Sequence, residues 1–165
     1  MEKEIIQKSG GLDIVEGFFT RGVHCGIKKS NNDLAIIFSE IPAAAAAVFT
    51  TNRVCAAPVE LTRMNLEKNH HIQLVVVNSG VANACTGEQG LQDARETVRY
   101  VSDSLHIKEE YVAVTSTGKI GEFLPMDKMR DGVKEAVSKL SLKGGTDAAE
   151  AIMTTDTRKK EIAIS

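Results

Sequence analysis

Apolar residues recur at two periods along the chain, and their alternation lays out the elements. Leu91, Ala94, Val98, Val101 and Leu105 are spaced by three and four residues with Asp, Arg and Glu between them. That spacing predicts a helix with one buried stripe. Met126, Met129, Val133, Val137 and Leu140 repeat it and predict a second amphipathic helix over 127–140. Charges at helical spacing from Pro58 to Asn69 fit a surface helix, and Thr146 is a candidate N-cap for a short helix through Ile152, after the break at Gly144-Gly145. Ile72–Val77 is apolar enough for a strand buried on both faces. Asp33–Phe38, bounded by Asn31-Asn32 and Pro42, and Tyr111–Thr115 read as two further strands.

The first thirty residues, punctuated by glycines, fit short extended pieces between turns. Ala43–Ala47 runs into Val48-Phe49-Thr50-Thr51. Alanine favours helix and the β-branched tail favours strand; a strand is expected. Glu161–Ser165 reads as a strand cut off mid-sheet, leaving an exposed edge and apolar face near Ile162–Ile164. Strands and helices alternate without a repeat or linker, so the predicted fold class is α/β (α+β) with a layered core.

Composition narrows the function classes. The chain has 165 residues with 20 Lys+Arg against 22 Asp+Glu, a formal charge of −2. That length suits one domain or part of a larger one. Near-neutral charge and few aromatics provide neither the field nor the stacking platform of a nucleic-acid binder. The longest apolar run, Ile41–Phe49, is nine residues, far from a membrane span. The N-terminal stretch MEKEIIQKSG lacks the apolar core of a secretory signal, and Cys25, Cys55 and Cys85 are too scattered for a disulfide framework. A cytoplasmic, reduced protein is expected. His24, His70, His71 and His106 show no metal-ligand spacing.

Two strand–loop–helix transitions hold the candidate chemistry, Asn78–Gly90 and Ser116–Gly121. Backbone N–H groups in such loops point outward and can hold an anion or a developing oxyanion. Neither loop is a nucleotide-binding motif. Ala113 stands five residues before Gly118 where a Walker motif needs glycine, and Ile120 where it needs Ser or Thr. Cys85 could be a thiolate near a helix N-terminus, but with no partner base it reads as a small buried thiol.

Several segments together resemble the ornithine acetyltransferases (glutamate N-acetyltransferases) of arginine biosynthesis. They are Gly22–Lys28, Asp33–Ile37, Ala47–Asn52, Ala56–Val59, Val76–Gly80, Ala82–Gly87, Ser116–Gly118, Leu124–Met126 and Ala151–Thr157, in the family's order. The resemblance implies layered sheets with helices outside, and residues 1–165 as an α-chain-like N-terminal part, incomplete without a β chain. It implies a precursor that cuts itself before a threonine, an α2β2 assembly, and acetyl transfer from N-acetylornithine to glutamate through a threonyl acyl-enzyme. The family's pattern makes Thr117 and Gly118 the oxyanion hole and gives a substrate-contacting threonine, with Thr154 the better match and Thr155 the alternative. It implies a reaction without metal or cofactor, while some members also take acetyl from acetyl-coenzyme A; the composition already argues against a membrane or nucleic-acid partner.

The chain departs from that pattern in three places. Val81 stands where asparagine is usual, Lys119 where an apolar residue is usual, and Ser165 falls before the family's cleavage threonine. Lys119 is expected to be solvated, and the chain alone inactive. Two other classes share the features: a small-anion-binding α/β module using the Asn78–Gly90 loop, and a self-processing amidohydrolase or peptidase of similar architecture.

Overall fold

A computed structural model describes residues 5–165; Met1–Glu4, the start of the charged N-terminal stretch, lie outside it. The core is a four-stranded mixed sheet built from β2 (Phe18–Val23), β3 (Leu34–Ala44), β4 (His71–Val81) and β5 (Val112–Lys119), in that spatial order. β2, β3 and β4 run antiparallel, whereas β5 lies parallel to β4 after the crossover helix α2 (Gly87–Leu105). A separate antiparallel pair joins β1 (Gln7–Lys8) to β6 (Ala163–Ile164).

Side-chain alternation along the strands sorts the layers. Leu34, Ile36, Leu74, Val76, Val112 and Val114 face one way, into a core with α1 (Ala57–Asn69), α2 and α3 (Met126–Ser138). Ala35 and Val77 face the other way, onto Ala148 and Ala151 of α4 (Gly145–Ala151). Helices therefore cover both faces, as the α/β class requires. The predicted stripe of α2 is buried at Ala94, Val98 and Val101 and half-buried at Leu91 and Leu105. That of α3 is buried at Met129 and Val133 and half-buried at Met126 and Val137, with Ala136, outside the predicted stripe, fully buried and Leu140 beyond the helix end. α4 approaches β2 backbone to backbone: a Cβ on Gly22 would overlap the Asp147 carbonyl. Among the described residues no helix is long and apolar enough to cross a membrane.

Several boundaries differ from expectation. β3 runs through Pro42 to Ala44, and the proline falls within a register shift between Phe38 and Ala43, where the regular ladder to β4 is interrupted. The alanine run forms strand only at Ala43 and Ala44. Ala44 pairs with His71, the first residue of β4, so the chain beyond has no strand left to pair with, and Val48 is fully exposed. The N-cap position of α4 is Gly144, not Thr146. The buried N-terminal end of this helix is capped from afar, Asp13 Oδ1 accepting from the Gly145 N–H at 2.6 Å. At β6, Ala163 is buried while Ile162 and Ile164 are 66% and 62% exposed, as the apolar pattern there suggests.

Candidate functional site

The residues singled out for acyl chemistry lie on strands. β4 continues to Val81 and β5 to Lys119, with Ser79 opposite Thr117 and Gly80 opposite Gly118. Thr117 and Gly118 therefore do not sit in a bend ahead of a helix; α3 begins only at Met126. The physical reason is the glycine pair. At φ 134° Gly118 takes a conformation that residues with side chains rarely adopt, and a Cβ there would overlap the Gly80 carbonyl carbon and oxygen and the Val81 nitrogen. Without side chains the two backbones approach and the ladder extends.

That geometry decides where the Gly118 N–H points. In a parallel ladder alternate residues bond to the neighbouring strand. The Lys119 carbonyl accepts from the Ala82 N–H at 2.8 Å. Thr117 and Lys119 thus face β4, and Ser116 and Gly118 turn their amides to the outer edge of β5. Farther back on this edge, α1 occupies the equivalent groups. Thr62 Oγ1 donates to the Val114 carbonyl at 2.7 Å and accepts from its N–H at 2.9 Å, and Asn65 Nδ2 donates to the Val112 carbonyl at 2.9 Å. α1 does not reach as far as Gly118, which is exposed with its N–H at an open edge. Thr117 beside it is half-buried, and no described residue bonds its hydroxyl, whereas Ser79 and Ser116 around it both donate internally.

In the other predicted loop the polar side chains are taken up internally. Asn78 Nδ2 donates to the Val81 carbonyl, Asn83 Nδ2 to the Gly90 carbonyl and Thr86 Oγ1 to Asn83 Oδ1, all within 2.8 Å and all buried. Its polar side chains tie it to itself. Cys85 is exposed with φ 57°, because the left-handed turn before α2 points it outward; it is not a buried thiol. Val81 is buried, and Lys119 is exposed beside Glu122 at 3.1 Å, as expected of a solvated cation. Among the described residues no cluster of His, Cys, Asp and Glu could hold a metal.

Thr154 is exposed, three residues beyond the end of α4, in a cleft of roughly 430 Å³ that Lys28 and Asn31 also line. It is joined to the strand pair indirectly. Ser79 Oγ donates to the Ala151 carbonyl at 2.5 Å, and Ser79 is the register partner of Thr117.

A buried carboxylate organises the loop between β2 and β3. Asp33 is fully buried and accepts from the N–H groups of Cys25, Gly26 and Lys28 at 2.7, 3.1 and 2.9 Å, with His24 Nδ1 3.2 Å away. Burial by itself would raise the Asp33 carboxyl; the Cys25 and Lys28 amides, the Cys25 thiol and His24 outweigh it and hold the group below the usual carboxylate range. The same arrangement pushes the Cys25 thiol up to about 12, first by burial and then by its bond to Asp33, so Cys25 stays protonated and inert. Sequence reasoning missed Asp33 as a structural anion; an acid opening an otherwise apolar strand was the available signal.

A carboxyl held low in the folded state stabilises above its unfolded pKa, and this contribution is lost as pH falls through the folded value. Asp33→Asn puts an NH2 against backbone donors in either amide orientation. It is expected to lose about 2–3 kcal/mol at neutral pH. The gap between wild type and variant should narrow below about pH 4. Thermal unfolding across pH checks both; a gap that is constant with pH contradicts the assignment.

Residues 19–165 match the ArgJ family. The chain belongs to that family. It is 51% identical over 155 residues to the arginine biosynthesis bifunctional protein ArgJ of Caldanaerobacter subterraneus subsp. tengcongensis, covering 94% of this chain and 38% of the relative. The ArgJ protein of Thermotoga neapolitana is 53% identical over 148 residues, covering 89% and 37% respectively. The fold matches the crystal structure of the Bacillus halodurans ArgJ protein, with a TM-score of 0.90, 41% identity, and 96% of this chain and 84% of that one covered. It also matches an ornithine acetyltransferase from Mycobacterium tuberculosis in complex with ornithine, with a TM-score of 0.91, 42% identity and 98% and 88% covered. The chain thus spans under two fifths of the length of these curated ArgJ relatives.

Proposed function

We propose that this chain is the α-chain portion of an ornithine acetyltransferase, acting in the complete protein to move acetyl from N-acetylornithine to glutamate. The observation that carries the reading is the open Gly118 N–H beside the unpartnered Thr117 hydroxyl, at the Ser-Thr-Gly segment of an ArgJ-family chain. A threonine at the start of the β chain attacks the acetamide carbonyl, its own α-amino group taking the hydroxyl proton. As the carbonyl oxygen becomes anionic, Gly118 and Thr117 donate to it. The C–N bond breaks, the proton passes to the departing amine of ornithine, and an acetyl ester remains. Glutamate's amine then attacks the ester and regenerates the threonine.

Neither half-reaction needs a cofactor, and acetyl-coenzyme A as an alternative donor would enter through the same ester. Thr154 contacts the substrate from the α4 side. The ornithine in the Mycobacterium tuberculosis neighbour is the leaving product of the first half-reaction and supports the substrate class. Division into two chains is supported by coverage. The chain fills 84–88% of the matched crystallised chains but only 37–38% of the curated relatives above. Cytoplasmic α2β2 assembly is part of the same reading.

The test is product analysis on the complete protein supplied with N-acetylornithine, with and without glutamate. Sustained release of ornithine that depends on glutamate, with N-acetylglutamate formed in equal amount, is expected. Deacetylation at the same rate without glutamate would make the protein a hydrolase.

A further inference from the structure

The proposed function rests on two segments that do not touch in sequence: the Gly80–Gly118 strand pair and the stretch after α4 that carries Thr154. Lys28 bridges them. Its stem lies against Gly80, whose Cβ, if present, would fall 3.1 Å from Lys28 Cγ and 3.0 Å from Ile27 Cγ2. Its Nζ donates to the Met153 carbonyl at 2.9 Å, next to Thr154. Its own N–H is held by Asp33, which is anchored at the start of β3 and whose carbonyl accepts from the Ser79 N–H at 2.8 Å. Both ends of Lys28 are therefore fixed, one to the sheet and one to the Thr154 segment.

The carbonyls at the end of a helix have no intrahelical partner, and outside groups must take them up. At α4 the Ser79 hydroxyl takes Ala151, and Lys28 takes Met153 just beyond. Asn32 from the same loop as Lys28 donates to Glu150 at 2.9 Å. Of these bonds only the one from Lys28 reaches past Ala151 into the segment leading to Thr154. That segment is otherwise exposed from Thr154 to Glu161.

We propose that Lys28 is a positioning residue that sets the place of Thr154 relative to the Gly80–Gly118 strand pair. The inference rests on the acetyl-transfer reading above. Burial lowers the Lys28 pKa while Asp33 and Glu150 oppose the shift, in keeping with an ammonium drawn between the loop and α4. Lys28 does not touch the reacting atoms. Removing the ammonium while keeping the stem frees the Thr154 segment but leaves the oxyanion donors in place.

In the complete protein, Lys28→Met is expected to raise KM for N-acetylornithine about tenfold, with kcat within about twofold of wild type. Lys28→Arg, which keeps a charged donor on a long stem, is expected to recover most of the affinity. Hydrogen exchange without substrate gives an independent reading. Amides of 152–158 should exchange faster in Lys28→Met, while those of β4 and β5 stay protected. An unchanged KM overturns the proposal. So does a fall in kcat accompanied by faster exchange throughout the chain, which is the signature of a merely structural lysine, or an Arg variant no better than Met. If the wild type transfers no acetyl group, the function reading fails by itself, and the exchange experiment still decides the tether.

Discussion

Thr117→Val in the complete protein is expected to lower kcat for acetyl transfer by roughly 10²–10³-fold, about 3–4 kcal/mol of barrier. The valine matches threonine in shape and β-branching, so it keeps the strand and removes only the hydroxyl. Because that hydroxyl has no described partner within the chain, its loss orphans no internal group, and thermal stability should change little. KM should also hold, since a donor that meets charge only in the transition state contributes little to binding the neutral acetamide. Steady-state kinetics and a melting curve on the same preparation check both. A large fall in melting temperature would reassign Thr117 to the fold.

Gly118→Ala is expected to fail differently, through structure. At φ 134° an added Cβ is strained whatever space surrounds it, and here it also meets the backbone of Gly80 and Val81. Those atoms belong to the paired strand and cannot rotate aside, so the ends of β4 and β5 must part. A loss of about 2–4 kcal/mol of stability is expected, together with activity at least 10²-fold down because the amide is displaced. Gly121→Ala is the control. Its φ is also positive, 79°, but a Cβ there meets nothing within 4 Å, so it carries backbone strain of about 1 kcal/mol alone. Comparable melting temperatures for the two alanine variants would show that the close strand approach is not what Gly118 provides.

Elements with long, regular apolar spacing were legible in the sequence. α2 and α3 turn the stripes that their three- and four-residue steps mark toward the core, burying them at the centre and half-burying them at the ends, and Leu74 and Val76 lie in the centre of the sheet. The strand ends were not legible, because Asn78-Ser-Gly80 and Ser116-Thr-Gly118 are turn formers by local preference. Their pairing depends on a long-range meeting of two glycines that no local pattern reveals. The alanine run departs from the expected strand for a related reason, since a strand needs a partner and β4 begins too late to provide one beyond Ala44. The cap of α4 came from Asp13, far back in the chain, rather than from Thr146 beside it.

For the site, the family pattern named Thr117, Gly118 and Thr154, whereas the residues that connect them were visible only in three dimensions. Asp33 and Lys28 are an ordinary acid and an ordinary base until the loop between β2 and β3 folds the carboxylate inward. The open edge at Gly118 likewise depends on how far α1 extends along β5: Thr62 and Asn65 close its earlier part, and no spacing in the sequence shows where that cover ends.

The most direct measurement is single-turnover formation of the acetyl-enzyme from N-acetylornithine, followed by mass spectrometry of the threonine-bearing chain, with Thr117 as wild type, Val and Ser. Acetylation slowed by roughly 10²-fold or more in the valine protein, and largely restored by serine, is the predicted result. Equal acetylation rates in all three would contradict the oxyanion role of this strand end.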